Sequence, residues 1–194
     1  MAFPTCITNL SGNFTKDCKI PPVIGLEENA FIIPYDDWDR AATLINAAGT
    51  IMTEAVLKAT AQKIKVQAFK RYKDGGYDPK ENPDAPDGTT HSFSFVSPKN
   101  DSSAKEFINA LLSGTRCVVV VERKWKGTAN ADAFEVLGYD VGMTGTSTMK
   151  YYADSGSHVI VLKTPADEQE PRVPYTWNEG TYADTKSVFD AWAV

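Results

Sequence analysis

Apolar positions recur along this chain at two different periods. Strict alternation marks "THSFSFV", where His91, Phe93 and Phe95 stand opposite Ser92, Ser94 and Val96. It also marks "KIKVQA", where Ile64, Val66 and Ala68 alternate with Lys63, Lys65 and Gln67. Both stretches predict half-buried strands with a polar second face. "SAKEFINALL" follows the other period, with Ala104, Phe107, Ile108, Leu111 and Leu112 on one face of a helix. Ser103 and Glu106 have the spacing of a capping box, which predicts the helix start, and Gly114 sits where a left-handed stop is favoured. Cys117 to Val121 then reads as a buried strand, β-branched and unbroken by charge until Glu122.

The remaining segments fill in the plan. "AFIIPYDD" predicts a short strand ending at Pro34. "DDWDRAATLINAAG" predicts a small helix with Asp36 or Asp37 as N-cap, Trp38, Ala42, Ile45 and Ala48 on one face, and Gly49 as its stop. "AVLKATA" fits either a strand or a helical turn. Residues 74–88, "DGGYDPKENPDAPDG", combine glycines and prolines in a way that argues against regular structure, so a long loop is expected there. "KGTANADA" turns the chain, "FEVLGYDVGM" returns it as a strand, "TGTSTMKYYADSGS" reads as a short strand and a loop, and "HVIVLKTP" is a further strand. Residues 1–29 show no sustained period and read as an N-terminal arm. Residues 30–194 form one domain, with a tail from about Pro165 that ends in "DTKSVFDAWAV", a helix or strand packing Val188, Phe189 and Trp192. About six to eight strands in runs, with two or three helices inserted, predict an α+β, mainly β fold. The expected architecture is an antiparallel β-sandwich or barrel with a flanking α-helix.

Composition narrows the function classes. A chain of 194 residues buries roughly 70% of its unfolded surface without needing a staple. Cys6, Cys18 and Cys117 are odd in number and match neither a zinc ribbon nor a disulfide scaffold, so reduced thiols are expected. The start "MAFPTCITNL" lacks the pattern of a secretion signal, and no apolar run has the length of a membrane span, so a product made in the cytosol and without a membrane partner is expected. In that setting the sequons at Asn9, Asn13 and Asn100 carry little meaning. A net charge of -5 and a pI near 5.1 oppose the basic footprint of a nucleic-acid clamp and suit a conduit that repels phosphate.

Catalytic chemistry is sparse. The two histidines, His91 and His158, begin alternating strands and have no matched cluster around them in sequence. Ser157 beside His158 lies outside any G-x-S-x-G elbow. Gly138, Gly142 and Gly145 are not spaced as a phosphate-binding loop. Asp36, Asp37 and Asp39 suit the first turn of a helix, and the carboxylates of residues 74–87 lack the order of a calcium loop. Cys117 among valines reads as a packed thiol. No enzyme, cofactor or metal is expected from these residues.

The order of elements carries a resemblance. "RCVVVVERKWKG", "AFEVLGYDVGM" and "GSHVIVLKTPADEQEP", preceded by "AVLKATAQKIKVQAFKRYKDG", are similar to the arrangement in tail tube proteins of tailed bacteriophages, over about residues 50–175. The resemblance implies a virion protein, assembled in the bacterial host cytoplasm, whose copies close into rings that stack into a hollow tube. Its partners would be itself, other tail and neck proteins, and DNA as non-specific cargo in the lumen. Within it Lys63, Lys65 and Gln67 are the candidate lumen face, and Asp74, Gly75, Gly76, Tyr77, Asp78, Asp84 and Asp87 the candidate ring-contact loop. A head-to-tail adaptor, a tail terminator or a capsid decoration protein is the alternative within the virion. A ligand- or carbohydrate-binding β-sandwich, stacking sugars on Trp125, Trp177 and Tyr175, is the alternative of another class. A hydrolase is a third, requiring His91 or His158 to meet a carboxylate or Ser157.

Overall fold

The computed structural model describes residues 23–67, 73–83, 86–148 and 157–193. At its centre lies the valine strand, β7 (Cys117–Arg123), with every residue from Cys117 to Glu122 buried. Alternation along this strand sends Cys117, Val119 and Val121 into one hydrophobic core and Val118 and Val120 into another on the opposite side. A strand with a core on each face has no room for polar side chains, which is why its sequence is an unbroken apolar run.

Seven strands make the sheet that contains it. Their order is β2 (Leu44–Ile45), β3 (Ile51–Glu54), β11 (Tyr175–Trp177), β8 (Phe134–Leu137), β7, β1 (Leu26–Pro34) and β4 (Ile64–Gln67). The second sheet has four strands in the order β5 (Lys73–Lys80), β6 (Gly88–Ser97), β10 (His158–Lys163) and β9 (Thr144–Thr148). The fold is α+β and mainly β, two sheets packed as a sandwich with two helices, as the strand runs predict. One pair departs from the antiparallel expectation: β11 runs parallel to β3, with Thr176 opposite Ile51 and Trp177 opposite Met52.

The core between the sheets gathers Ile32, Val66, Val119, Phe93, Phe95, Ile160 and Leu162, with Ile108 and Leu111 supplied by α1 (Ser102–Leu112). The second core lies on the outer face of the seven-stranded sheet, beneath α2 (Tyr182–Ala191). Here the C-terminal stretch takes the helical of its two expected forms. Thr181 caps α2 by accepting from the Asp184 amide at 3.2 Å. The buried ring of Trp192 stacks on Trp177 with centroids 4.9 Å apart and planes 9° from parallel. Phe189 meets Phe31 edge-on at 4.8 Å. A polar clamp ties the same helix to β7: the buried Glu122 carboxylate accepts from the Tyr182 hydroxyl and Lys126 Nζ, both at 2.7 Å, and pairs with Lys186 at 3.2 Å.

Several local expectations are corrected. The cap of α1 is Asp101, whose carboxylate accepts from the Ala104 amide at 2.9 Å; Ser103 lies inside the helix and its hydroxyl donates to Asp101. With the carboxylate two residues earlier as cap, the helix starts at Ser102 and its first-turn donor at Ala104 is satisfied by Asp101 instead of by a Ser103/Glu106 box. The stop is as expected: Gly114 has φ +86°, its amide donates to Leu111 O and that of Thr115 to Ala110 O, which is the Schellman pairing. The predicted helix over residues 36–48 is absent. A 3₁₀ turn (Tyr35–Asp37) and an Asp39 turn replace it, with the Asp39 carboxylate accepting from the Ala41 and Ala42 amides. Trp38 is buried while Ala42 and Ala48 are exposed, so the spacing that looked like one face is split by β2 pairing with β3. "AVLKATA" is neither strand nor helix, apart from a Leu57 bridge to Trp38.

The loop expected over 74–88 is mostly strand. Asp74 to Lys80 pair with Ser94 to Gly88 as the edge strand β5, leaving 81–87 as the connection. Gly75 faces the core, where an added Cβ would lie 3.2 Å from the Phe93 ring, so a glycine that reads as a loop signal is the residue that lets β5 close on Phe93. Pro79 is tolerated because an edge strand has one unpaired side. The arm expected over 1–29 overlaps β1, which starts at Leu26, and residues 1–22 and Ala68 lie outside the described residues. The tail after Pro165 is part of the domain, since β11 and α2 both come from it.

Candidate functional site

Alternation gives the four-stranded sheet an outer face of serine, threonine and aspartate side chains interrupted by three valines, a glycine and one lysine. On β6, His91, Phe93 and Phe95 are buried inward, so Thr90, Ser92, Ser94 and Val96 point outward. Register carries the same face across the sheet. Val159, Val161 and Lys163 on β10 pair with Val96, Ser94 and Ser92, and Thr148, Thr146 and Thr144 on β9 pair with those three in turn. On β5, Asp74, Gly76 and Asp78 lie opposite Ser94, Ser92 and Thr90. Both helices pack elsewhere: α1 lends Ile108 and Leu111 to the inner core and α2 lies on the other sheet, so among the described residues no helix covers this face. A shallow recess of about 370 Å³ at its β5 side is lined by Asp74, Gly76, Asp78, Ser92, Ser94 and Val161.

The candidate residues therefore fall on two surfaces. Asp74, Gly76 and Asp78 join the hydroxyl face, while Gly75 and Tyr77 turn to the other side of β5. Asp87 holds the 81–87 connection by accepting from the Asn82 amide at 3.0 Å, and Asp84 lies outside the described residues. Ile64 and Val66 face the inner core, which sends Lys65 and Gln67 to the outer side of the seven-stranded sheet. Lys65 pairs there with Phe31, and Gln67 donates to Asn29 at 3.0 Å. Lys63 precedes that strand and is exposed. The lysine-bearing face and the hydroxyl face are thus on opposite sides of the sandwich.

The side chains with catalytic potential are occupied structurally. His91 accepts from the Gly138 amide through Nδ1 at 2.9 Å, which puts its proton on Nε2, 3.0 Å from Arg172 O. Burial pushes its pKa down to about 4, so the ring is neutral. His158 lies 3.5 Å from the Ser147 hydroxyl and 3.4 Å from Asn100 Oδ1. Among the described residues neither histidine has a carboxylate or Ser157 as a hydrogen-bond partner. The Cys117 thiol faces Met143 O at 3.3 Å, and burial pushes its pKa up to about 12, far from a reactive thiolate. Trp177 and Tyr175 are buried in the core under α2, which corrects the sugar-stacking expectation; of that trio only Trp125 is exposed.

One polar cluster was not legible in the sequence. Glu170, fully buried in what reads as an acidic tail, accepts from the amides of Asp140, Val141 and Gly142 at 3.1, 3.1 and 3.3 Å. It pins the turn after β8, and burial pushes its pKa up to about 7. Beside it the Tyr175 hydroxyl donates to Asp140 at 3.1 Å, and Arg40 caps Tyr139 O while lying 3.6 Å over the Tyr35 ring. These groups satisfy one another and the backbone, which is a structural role. Asp37 likewise serves the backbone, accepting from the Gln62 amide at 2.8 Å. No three of His, Cys, Asp and Glu stand close enough to hold a metal ion among the described residues. No protein-family model matches the chain, and neither a curated protein nor a solved structure matches it.

Proposed function

We propose that this chain is a structural subunit of a tailed-bacteriophage virion, a tail tube protein whose copies close into rings that stack around a channel for DNA. The observation that carries the reading is the one-sided covering of the sandwich. The α2 helix covers the aromatic core on the outer face of the seven-stranded sheet, and among the described residues the hydroxyl face of the four-stranded sheet is left without a helix. That face sets two carboxylates, Asp74 and Asp78, against one ammonium, Lys163, among serine and threonine hydroxyls. Phosphate contacts that grip DNA need rows of cations, and this surface lacks them. A flat, weakly acidic face of short side chains lets a polyanion slide past. In this reading the hydroxyl face lines the channel, and the lysines at 63 and 65 belong to another surface.

Association supplies the function. Among the described residues the four-stranded sheet ends at β5 and β9, and "TGTST" on β9 has neither the charge nor the proline with which monomeric proteins guard an edge. A neighbour's strand laid on such an edge extends the sheet, and a heterologous contact of this kind that closes makes a ring. The partners are then other copies, tail and neck proteins, and DNA as cargo. Negative-stain electron microscopy of the purified chain, with its mass from light scattering, tests the proposal. Rings or tubes with a central hole are expected as concentration rises. A protein that stays monomeric at every concentration and is missing from the tails of the virions it is made with overturns it.

A further inference from the structure

We propose that the pair Asp74 and Gly75 is a self-modification site, where the Gly75 amide nitrogen closes on the Asp74 side-chain carboxyl to give a succinimide that hydrolyses to isoaspartate. The sequence holds two Asp-Gly pairs, at residues 74–75 and 87–88. The fold poises the first and holds the second. At Asp74 the reacting groups already meet: the Gly75 amide donates to the Asp74 carboxylate at 2.9 Å, so the carboxyl of one residue lies against the nitrogen of the next. Ring closure needs that approach, and Gly75 brings no side chain to obstruct it. Both residues are exposed along β5, which admits the water of hydrolysis. Gly76 follows, and two residues without side chains turn their peptide planes against little steric resistance.

Asp87 is the internal contrast. Its carboxylate accepts from the Asn82 amide at 3.0 Å. Gly88 is buried, and a Cβ added there would lie 2.6 Å from Glu170 O. Beside it Thr89 and Glu170 exchange both backbone hydrogen bonds, at 2.8 and 2.9 Å. The peptide plane that must rotate for Asp87 to close is therefore fixed by its neighbours.

The reaction balances with water alone. The Gly75 nitrogen forms a bond to Asp74 Cγ, and the carboxyl hydroxyl leaves with the amide proton as water. Mildly acidic buffer favours this step, because the hydroxyl leaves from the acid form of the carboxyl. A water molecule then opens the imide at one of its two carbonyls. Opening at the main-chain carbonyl leaves the backbone running through Cβ and Cγ with a free α-carboxylate, so mass and charge are unchanged. The product carries one more atom in the backbone of β5. The pairs Asp74 with Ser94 and Lys73 with Phe95 are then displaced relative to Gly75 with Phe93, and the Lys73 ammonium is drawn from the Glu27 and Glu28 carbonyls to which it donates. Isoaspartate loosens the start of β5 while the acidic charge of the hydroxyl face stays. None of this requires copies of the chain to assemble.

The test is ageing of the purified full chain in warm, mildly acidic buffer, with far-UV circular dichroism confirming that it stays folded. Peptide mapping with electron-transfer fragmentation then reads isoaspartate separately at positions 74 and 87. The same chain unfolded in guanidinium chloride is the reference, where both aspartates precede a glycine and should react at similar rates. In the folded chain, isoaspartate at 74 should exceed that at 87 at least fivefold, a difference of about 1 kcal/mol in activation free energy. In Asp74→Glu, whose longer side chain has a six-membered ring to close, the aged folded chain should accept at least fivefold fewer methyl groups from an isoaspartyl methyltransferase than the parent. A folded-chain ratio below fivefold overturns the proposal, whether both sites are fast or both slow, and so does undiminished methyl acceptance in Asp74→Glu.

Discussion

Trp192→Ala is the substitution that probes most directly how α2 is held. The side chain is 6% exposed, stacks on Trp177, and meets Phe31 and Trp38 edge-on at 5.8 and 6.3 Å. Burying a tryptophan removes roughly 200 Å² of mainly apolar surface from water, about 5 kcal/mol at ~25 cal/mol per Å². Truncations of buried Trp to Ala cost about 3–5 kcal/mol. Trp192 follows the last turn of a helix that ends at Ala191, where the chain can close partly over a cavity, so the lower half of that range, about 3–4 kcal/mol, is expected. The assay is equilibrium unfolding in urea followed by far-UV circular dichroism. With a slope of about 2 kcal/mol per molar, the midpoint should fall by about 1.5–2 M. The near-UV signal of the stacked indole pair should vanish, and Trp192→Phe should recover most of the stability. A loss under about 1 kcal/mol would refute the reasoning, because it would mean that the aromatic cluster does not anchor the helix.

Two further predictions concern buried groups around the turn after β8. His91 has its pKa lowered from 6.5 to about 4, so the unfolded chain takes up a proton that the folded one refuses, and its contribution is lost as pH falls from 6.5 towards 4. Glu170 has its pKa raised from 4.5 to about 7, so its contribution is present below pH 4.5 and lost as pH rises towards 7. The two slopes oppose each other between pH 4.5 and 6.5. In Glu170→Gln the falling slope is gone, and urea midpoints measured from pH 4.5 to 6.5 should climb with pH more steeply than in the parent; parallel profiles would show that Glu170 does not titrate as its burial requires. Gly138→Ala should cost about 1–3 kcal/mol, read as a lower melting temperature, since φ is +74° and the new Cβ would lie 2.8 Å from Met143 Cγ; an unchanged melting temperature would mean that the turn relaxes freely.

Strands and helices that rest on local rules were legible before the fold was seen. Phe93 and Phe95 alternate with serines because one face of β6 is core and the other is open, and that contrast is written directly into the residues. The valines of β7 and the Gly114 stop of α1 are equally local. The errors share a cause. Trp38, Ala42, Ile45 and Ala48 have helical spacing, yet spacing alone does not reveal that β3 stands ready to pair with residues 44–45. Residues 74–80 are rich in loop formers, yet β6 presents a complete ladder partner and Phe93 a surface that only glycine approaches so closely.

Sequence by itself determined the secondary-structure class, the weight of strand over helix and the burial of the central valine strand, because each depends on the residue pattern within a few positions of chain. Tertiary structure alone decided which surfaces exist. It gathered Asp74 and Asp78 with the serines of β6 and the threonines of β9, set Lys65 and Gln67 on the far side of the sandwich, and buried Glu170 against a turn 28 to 30 residues away. A face is made by register between strands distant in sequence. Register is settled by long-range pairing and by the burial of both cores at once, and neither is expressed in any one local pattern.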